Sequence, residues 1–227
     1  MSVSVVKRSA NLSEQIVEAI YNELRAGLIS PGERLTEEGT AKRFKVSRTP
    51  ARDALKELSL QGMLQVREGG GYFVPLPSPE EFREISFVRR LLEPVAVRLA
   101  AEEFGAQDIE AICRAISSEE ASIGSQDTTT FAQANEAFRD AIFQRVSNKS
   151  LRNTIGQFTG YLNLIRSFTF PALDPRKRIL ILQKQIRDAI QAGDGAKAEA
   201  LWNEYLDHSE EAFYEAIALW ANDGTAK

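Results

Sequence analysis

The run from Ser30 to Pro75, SPGERLTEEGTAKRFKVSRTPARDALKELSLQGMLQVREGGGYFVP, restricts the fold more than any other part of the chain. Pro31 and Gly32 close a preceding helix, Thr36 caps a short second helix running to Phe44, and Lys45-Val46 makes the turn before Ser47-Arg48-Thr49-Pro50 opens a third. Pro50 suits a first helical position, with Ser47 or Thr49 as the cap. Ala54, Leu55 and Leu58 follow at helical spacing and Gly62 ends the helix. Leu64 and Val66 then alternate with polar residues up to the turn Gly69-Gly70-Gly71, after which Tyr72, Phe73 and Val74 return. The pattern is that of a helix-turn-helix carrying a two-stranded wing, a shape that enters DNA grooves.

Amphipathicity selects the residues able to touch a ligand. Ala54, Leu55 and Leu58 must face Ile16, Ile20 and Leu24 of the first helix, which turns Arg48, Thr49, Arg52 and Lys56 outward. Long forked donors suit guanine edges or phosphates, and the short hydroxyls of Ser47 and Thr49 suit close backbone contact. Taken singly, Arg52 and Lys56 are the ordinary charges of a solvated helix. The whole pattern makes them candidate DNA contacts.

The segments PGERL, AKRFKVSRTPARDAL, QGML and GGGYFVP resemble the DNA-binding domain of the GntR family of bacterial transcription regulators, over about residues 10–76. The resemblance implies that Ser47, Arg48, Thr49 and Arg52 contact DNA from a recognition helix and that Gly69 is the wing tip approaching the minor groove. One position departs from the family pattern. Glu38 stands in the second helix where a phosphate-binding arginine can occur.

Composition bounds the remainder. The 227 residues accommodate a domain at 1–76, a short stiff linker at 77–79 and a second domain at 80–227. The net charge of −4 argues against nucleic acid until the chain is divided: residues 1–76 hold 11 Lys and Arg against 9 Asp and Glu, leaving 17 against 23 for the rest. Basic charge therefore collects where DNA would be. No apolar run is long enough to span a membrane, and MSVSVVKRSANLS is too weakly apolar for a signal peptide. It reads as a flexible arm in which Lys7 and Arg8 are candidate phosphate contacts, and the expected location is cytoplasmic. The lone Cys113 reads as a packed apolar residue.

The second domain should be all helical, making the expected fold mostly α with a small β-wing. Six stretches carry helical periodicity: 80–104, 106–122, 128–146, 150–168, 175–192 and 195–222, with Pro94 inside the first as a kink or bulge. VRRLLEPVAVRLAA, ANEAFRDAIFQRVSNKSL and IRDAIQAGDGAKAEALWNEYL are similar to the FadR-type C-terminal domain, FCD, which in such regulators binds a metabolite and dimerises. A count of six helices resembles the VanR-like subgroup more than the longer FadR group.

Many FCD proteins hold a divalent metal with an Asp and a His four residues apart and one His from each of two later helices. The matching positions here are Asn135, Arg139, Gln183 and Tyr205, none of them a usual ligand for such a site. The resemblance with these replacements implies no metal and no other cofactor. His208, the single histidine, reads as a surface or capping residue.

Asn135 and Arg139 share a helix face and would offer amide and guanidinium donors where a metal would otherwise attract an anion, with Arg89 and Arg166 adding positive charge. A buried arginine needs a partner, either an internal carboxylate or the acid group of a ligand. No nucleophile elbow, phosphate-cradling loop or carboxylate-histidine cluster accompanies these residues, so an enzyme is not expected. The expectation is a homodimeric DNA-binding regulator of a palindromic operator, responding to a small organic acid; a dimeric DNA-binding protein without an effector is the alternative.

Overall fold

The computed structural model describes residues 12–25, 28–29, 32–67, 70–75, 77–126 and 128–222, and the chain divides into two compact units, 1–76 and 77–227. In the first unit, α1 (Leu12–Arg25) leads to β1 (Arg34–Leu35), α2 (Glu37–Phe44), α3 (Arg48–Leu60), β2 (Gln65–Val66) and β3 (Tyr72–Phe73). Thr36 is extended, and its hydroxyl accepts a hydrogen bond from the Gly39 N–H at 3.0 Å, starting α2 as expected. Lys45 takes a left-handed conformation, φ 54°, which turns the chain sharply into α3.

The third helix begins earlier than the sequence suggested. Ser47 is its N-cap but makes no side-chain capping bond, and Pro50 is the third helical residue, not the first. A proline fits there because the N–H groups of the first turn have no intrahelical acceptor anyway. Gln61 caps the far end and Gly62, at φ 75°, turns the chain away. The sheet has three strands, not two: β3 lies between β1 and β2, antiparallel to both, with Arg34 and Gln65 opposite Phe73. The β1 strand is too short to leave an alternating signature. Ile16, Ile20 and Leu24 of α1 meet Ala54, Leu55 and Leu58 of α3 in a core completed by Met63, Leu64 and Val74. Each Leu, Ile, Val or Met side chain of this core contributes about 1.5–3 kcal/mol on burial, which fixes the outward face of α3.

The second unit is helical throughout the described residues: α4 (Pro79–Glu103), α5 (Ala106–Ser122), α6 (Thr129–Phe143), α7 (Lys149–Gly156), α8 (Thr159–Thr169), α9 (Leu173–Gln191) and α10 (Gly195–Asn222). Ser78 caps α4 through the Glu81 N–H, Asn148 caps α7 through the Leu151 N–H, and α4 continues through Pro94. The count is seven helices where six were expected. The stretch 150–168 is two helices separated at Gln157-Phe158, which removes the helix-count ground for the VanR-like subgroup. Apolar periodicity continues across that break although Ile155 of α7 joins the main core and Ile165 of α8 packs with Phe82 and Phe213 in a separate cluster.

Helices α4 and α10 run antiparallel, Phe82 stacking on Phe213 at one end and Arg98 pairing with Glu199 at the other. Helices α5, α6 and α9 complete the bundle around Trp202, Phe131, Phe138, Ile112 and Ile186. Cys113 is half-buried, less enclosed than expected.

Candidate functional site

On the first unit, Ser47, Arg48, Thr49, Arg52 and Lys56 are all exposed and share the outward side of α3. The bases are not all unengaged. Arg48 donates to Glu38 at 2.9 Å and Arg52 lies 3.5 Å from Asp53, so two arginines of this face carry carboxylate partners in the free protein. Both pairs are solvent-exposed and worth at most about 1 kcal/mol, little resistance to a phosphate. The wing has its own positive charge, which sequence reasoning overlooked. Arg34 donates to the Gly70 carbonyl at 2.9 Å, and Arg34 and Arg67 both lie over the Phe73 ring, Arg67 at 4.9 Å. Gly71 is left-handed, φ 98°, and a Cβ there would meet the Arg34 guanidinium at 2.7 Å, so glycine is needed for that clamp. Gly69, Lys7 and Arg8 lie outside the described residues.

In the second unit, Glu93 of α4 is the centre of a buried charge cluster. Its carboxylate accepts from Arg89 Nε at 2.9 Å, from Arg139 at 2.8 and 3.1 Å and from Trp202 Nε1 at 3.0 Å, tying α4, α6 and α10 together. Burial alone would push the Glu93 pKa up, but the Arg139 and Arg89 charges and hydrogen bonds outweigh it and hold the group well below the usual carboxylate range. Arg139 also lies over the Phe143 and Trp202 rings, at 5.0 and 5.4 Å. Of the two partners the sequence allowed for Arg139, the internal carboxylate is the one in place.

Glu119 of α5 centres a second cluster. It accepts from Gln183 at 3.0 Å, is also hydrogen-bonded by Asn135 and feels the Arg166 charge, yet burial dominates and pushes its pKa up to about 8. Near neutral pH this carboxyl is mostly protonated. Asn135 meets the Tyr205 hydroxyl at 3.3 Å, Tyr205 stacks on Trp202, and Arg166 donates to Asn163 at 2.6 Å.

Arg89, Asn135, Arg166 and Tyr205 line one cavity together with Thr169 and Ser209, while apolar side chains of α4, α8, α9 and α10 close it. The structure thus brings four of the six expected residues to one wall. Arg139 is set back on Glu93 and Gln183 on Glu119. The cavity volume is only about 30 Å³, room for one or two waters.

The donors do not fit the metal that FCD proteins can carry. Asn135 and Tyr205 bond each other, Gln183 serves Glu119, and the Arg139 guanidinium has no lone pair to give. His208 bonds Glu211 at 3.1 Å beside a different groove, where Asp174 and Arg178 also lie. Among the described residues no three His, Cys, Asp or Glu side chains gather as a metal site would require.

Glu93 and Glu119, which the sequence reading missed, were marked by position. Glu93 stands four residues after Arg89, and Glu119 continues the apolar row Ile112, Ala115, Ile116 where a carboxylate has no reason to be unless it is bonded inside.

The winged helix with its outward basic face and the helical bundle with its polar-lined cavity each match a family description. Residues 12–74 match the bacterial regulatory proteins of the gntR family, and residues 84–208 match the FCD domain. The chain belongs to the GntR family, with an FCD domain as its second half. The HTH-type transcriptional repressor RspR of Escherichia coli is 25% identical over 211 residues, 91% of this chain and 92% of that one. The HTH-type transcriptional regulator LutR of Bacillus subtilis is 26% identical over 209 residues, covering 83% and 94%. The solved structure of E. coli McbR/YncC superposes with a TM-score of 0.78 at 23% identity, covering 93% of this chain and 99% of that one, a likeness of fold. As a GntR regulator the chain is a DNA-binding transcription factor and not an enzyme. No helix among the described residues is long and apolar enough to cross a membrane.

Proposed function

We propose that this GntR regulator is a cytoplasmic, homodimeric repressor of a palindromic operator, released by a small organic anion bound in the cavity of its helical unit. The supporting observation is the face of α3, where Ser47, Arg48, Thr49, Arg52 and Lys56 stand exposed together beside a wing carrying Arg34 and Arg67. Two such heads related by a dyad read two half-sites about one DNA turn apart. Arg89 and Arg166 on the cavity wall favour an anion, and Asn135, Thr169, Tyr205 and Ser209 supply hydrogen bonds to orient it. Such a ligand acts only by binding one arrangement of the two heads better than the other.

The four altered positions support a regulator that uses no metal. Protein purified without chelator is expected to carry far less than one transition-metal ion per chain, and a stoichiometric metal by elemental analysis sinks that claim.

Arg52→Ala tests the DNA reading. If Arg52 contacts a base, operator affinity falls by about 1–3 kcal/mol while binding to scrambled DNA changes little. A contact to phosphate alone lowers both in parallel, and unchanged affinity on both removes Arg52 from the interface. The small cavity and the internal pairing of Arg139 favour one second reading, a dimeric DNA-binding protein without an effector. Release from operator by organic acids in a gel-shift screen separates the two.

A further inference from the structure

We propose that the cavity of the helical unit binds its anion together with a proton held by Glu119, which forms a closed acid–amide pair with Gln183, so that the response to the effector fades as pH rises. The inference rests on the effector reading and adds a regulation to it. Glu119 of α5 and Gln183 of α9 are both fully buried, and Gln183 Nε2 donates to Glu119 at 3.0 Å through one carboxyl oxygen, Oε1. The remaining oxygen of each group, Glu119 Oε2 and Gln183 Oε1, is buried without a hydrogen-bond partner. Buried polar atoms rarely go unbonded, and two on a single bonded pair call for one explanation.

A proton on Glu119 Oε2 supplies it. An ionised carboxylate only accepts, as does an amide oxygen, so neither leftover atom can then serve the other. Once protonated, Oε2 is a donor, and its O–H closes on Gln183 Oε1 to complete a ring of two hydrogen bonds. The surroundings leave the acid neutral. Asn135 of α6, which also meets Tyr205 of α10, reaches the same carboxyl, and the charge that bears on it is Arg166 of α8. Arg139, one turn along α6, is turned to Glu93, and Lys184, next to Gln183, is turned to Glu120. Burial outweighs the support from Gln183, Asn135 and Arg166, and the proton stays on up to about pH 8.

Asn135 and Arg166 also line the cavity, which links the pair to the ligand. An anion docked there and an ionised Glu119 would both draw on the Arg166 guanidinium, two like charges in a site shielded from water. Anion binding therefore favours the protonated acid, and by reciprocity loss of that proton weakens the anion. One proton is involved, so affinity should be level below about pH 7 and fall by at most about tenfold per pH unit above the Glu119 midpoint.

The test uses the full chain labelled with carbon-13 at its glutamate carboxyls. One resonance should titrate near pH 8 without ligand, well apart from glutamates in water, and be missing in Glu119→Gln. Acetate, ionised throughout the range from about pH 6 to 9.5, is the probe, its dissociation constant read from shifts of the tyrosine and tryptophan resonances. That constant should rise about tenfold or more between about pH 7 and 9.5 in the wild type. In Glu119→Gln an amide NH2 stands permanently where the acid O–H was, so acetate should bind equally well across the range. Saturating acetate should also move the Glu119 midpoint upward by about one pH unit or more, a measurement that needs no variant. A spectrum with no glutamate titrating above about pH 6 overturns the proposal. Acetate bound with the same affinity at every pH, and a midpoint it does not move, overturns it too and leaves the effector reading in place. If neither acetate nor the larger acids of the operator-release screen bind at all, the effector reading fails and the coupling falls with it.

Discussion

Replacing Glu93 with Gln isolates the charge that joins three helices. The carboxylate is fully buried, and its five hydrogen-bond donors come from Arg89, Arg139 and Trp202 at 2.8–3.3 Å. Glutamine keeps the shape, but its NH2 points at donors and the two buried guanidinium charges lose their counter-ion. Breaking a buried pair in this way costs about 3–5 kcal/mol. For a unit of this size each kcal/mol shifts the midpoint by about 2–4 °C, so the melting temperature of the helical unit should fall by about 6–20 °C. Arg139→Met is the informative companion. It leaves Glu93 with Arg89 and Trp202, so its cost should be smaller, about 1–3 kcal/mol. Calorimetry or circular dichroism at pH 7 reads both. The sign of the pH effect is fixed as well: Glu93 is depressed in the folded state, so its contribution is present above the unfolded carboxylate pKa of about 4.3 and is lost as pH falls toward the folded value. The gap between wild type and Glu93→Gln should therefore narrow below about pH 4. A Glu93→Gln midpoint within about 2 °C of wild type at pH 7, or a larger loss in Arg139→Met, refutes the argument.

Glu119 gives the opposite dependence. Its folded pKa is raised to about 8, so its contribution is complete below the unfolded value and is lost as pH rises through 8; Glu119→Gln should flatten the fall in melting temperature between pH 5.5 and 8.5, and an unchanged slope counts against a buried neutral carboxyl. Glu38→Ala should strengthen DNA binding about two- to fivefold at low salt, on operator and scrambled sequences alike, by releasing Arg48 and removing a negative charge near the phosphates, with the gain fading as salt is raised. Weaker or unchanged binding would show that the Glu38 pair orients Arg48 instead of occupying it.

Local rules carried the DNA-binding half of the chain. The Thr36 cap, the turn at Lys45 and the outward row on α3 all follow from residues within a few positions of one another, and the structure has them there. The two wing strands were legible and the first strand was not, because β1 exists only through its pairing with β3, a partner far along the chain. In the helical half, the helix faces were legible and their meeting points were not. Arg139 plainly needed an anion, but Glu93 lies 46 residues earlier and already looks satisfied by Arg89 on its own helix. Gly156, at the end of α7, was the available sign of the missed break, masked by uninterrupted apolar spacing.

The smallness of the cavity has a consequence for signalling. On the effector reading, a space of about 30 Å³ is full once a water or two has entered, so an organic anion would enter by pushing apart the side chains of α4, α8, α9 and α10 that close it. A roomy, preformed chamber would let its guest in silently, and occupancy would leave no mark on the surrounding helices. On that reading occupancy and deformation would be one event. The tighter the unliganded bundle, the weaker the ligand's affinity and the larger the displacement that each bound molecule must hold open.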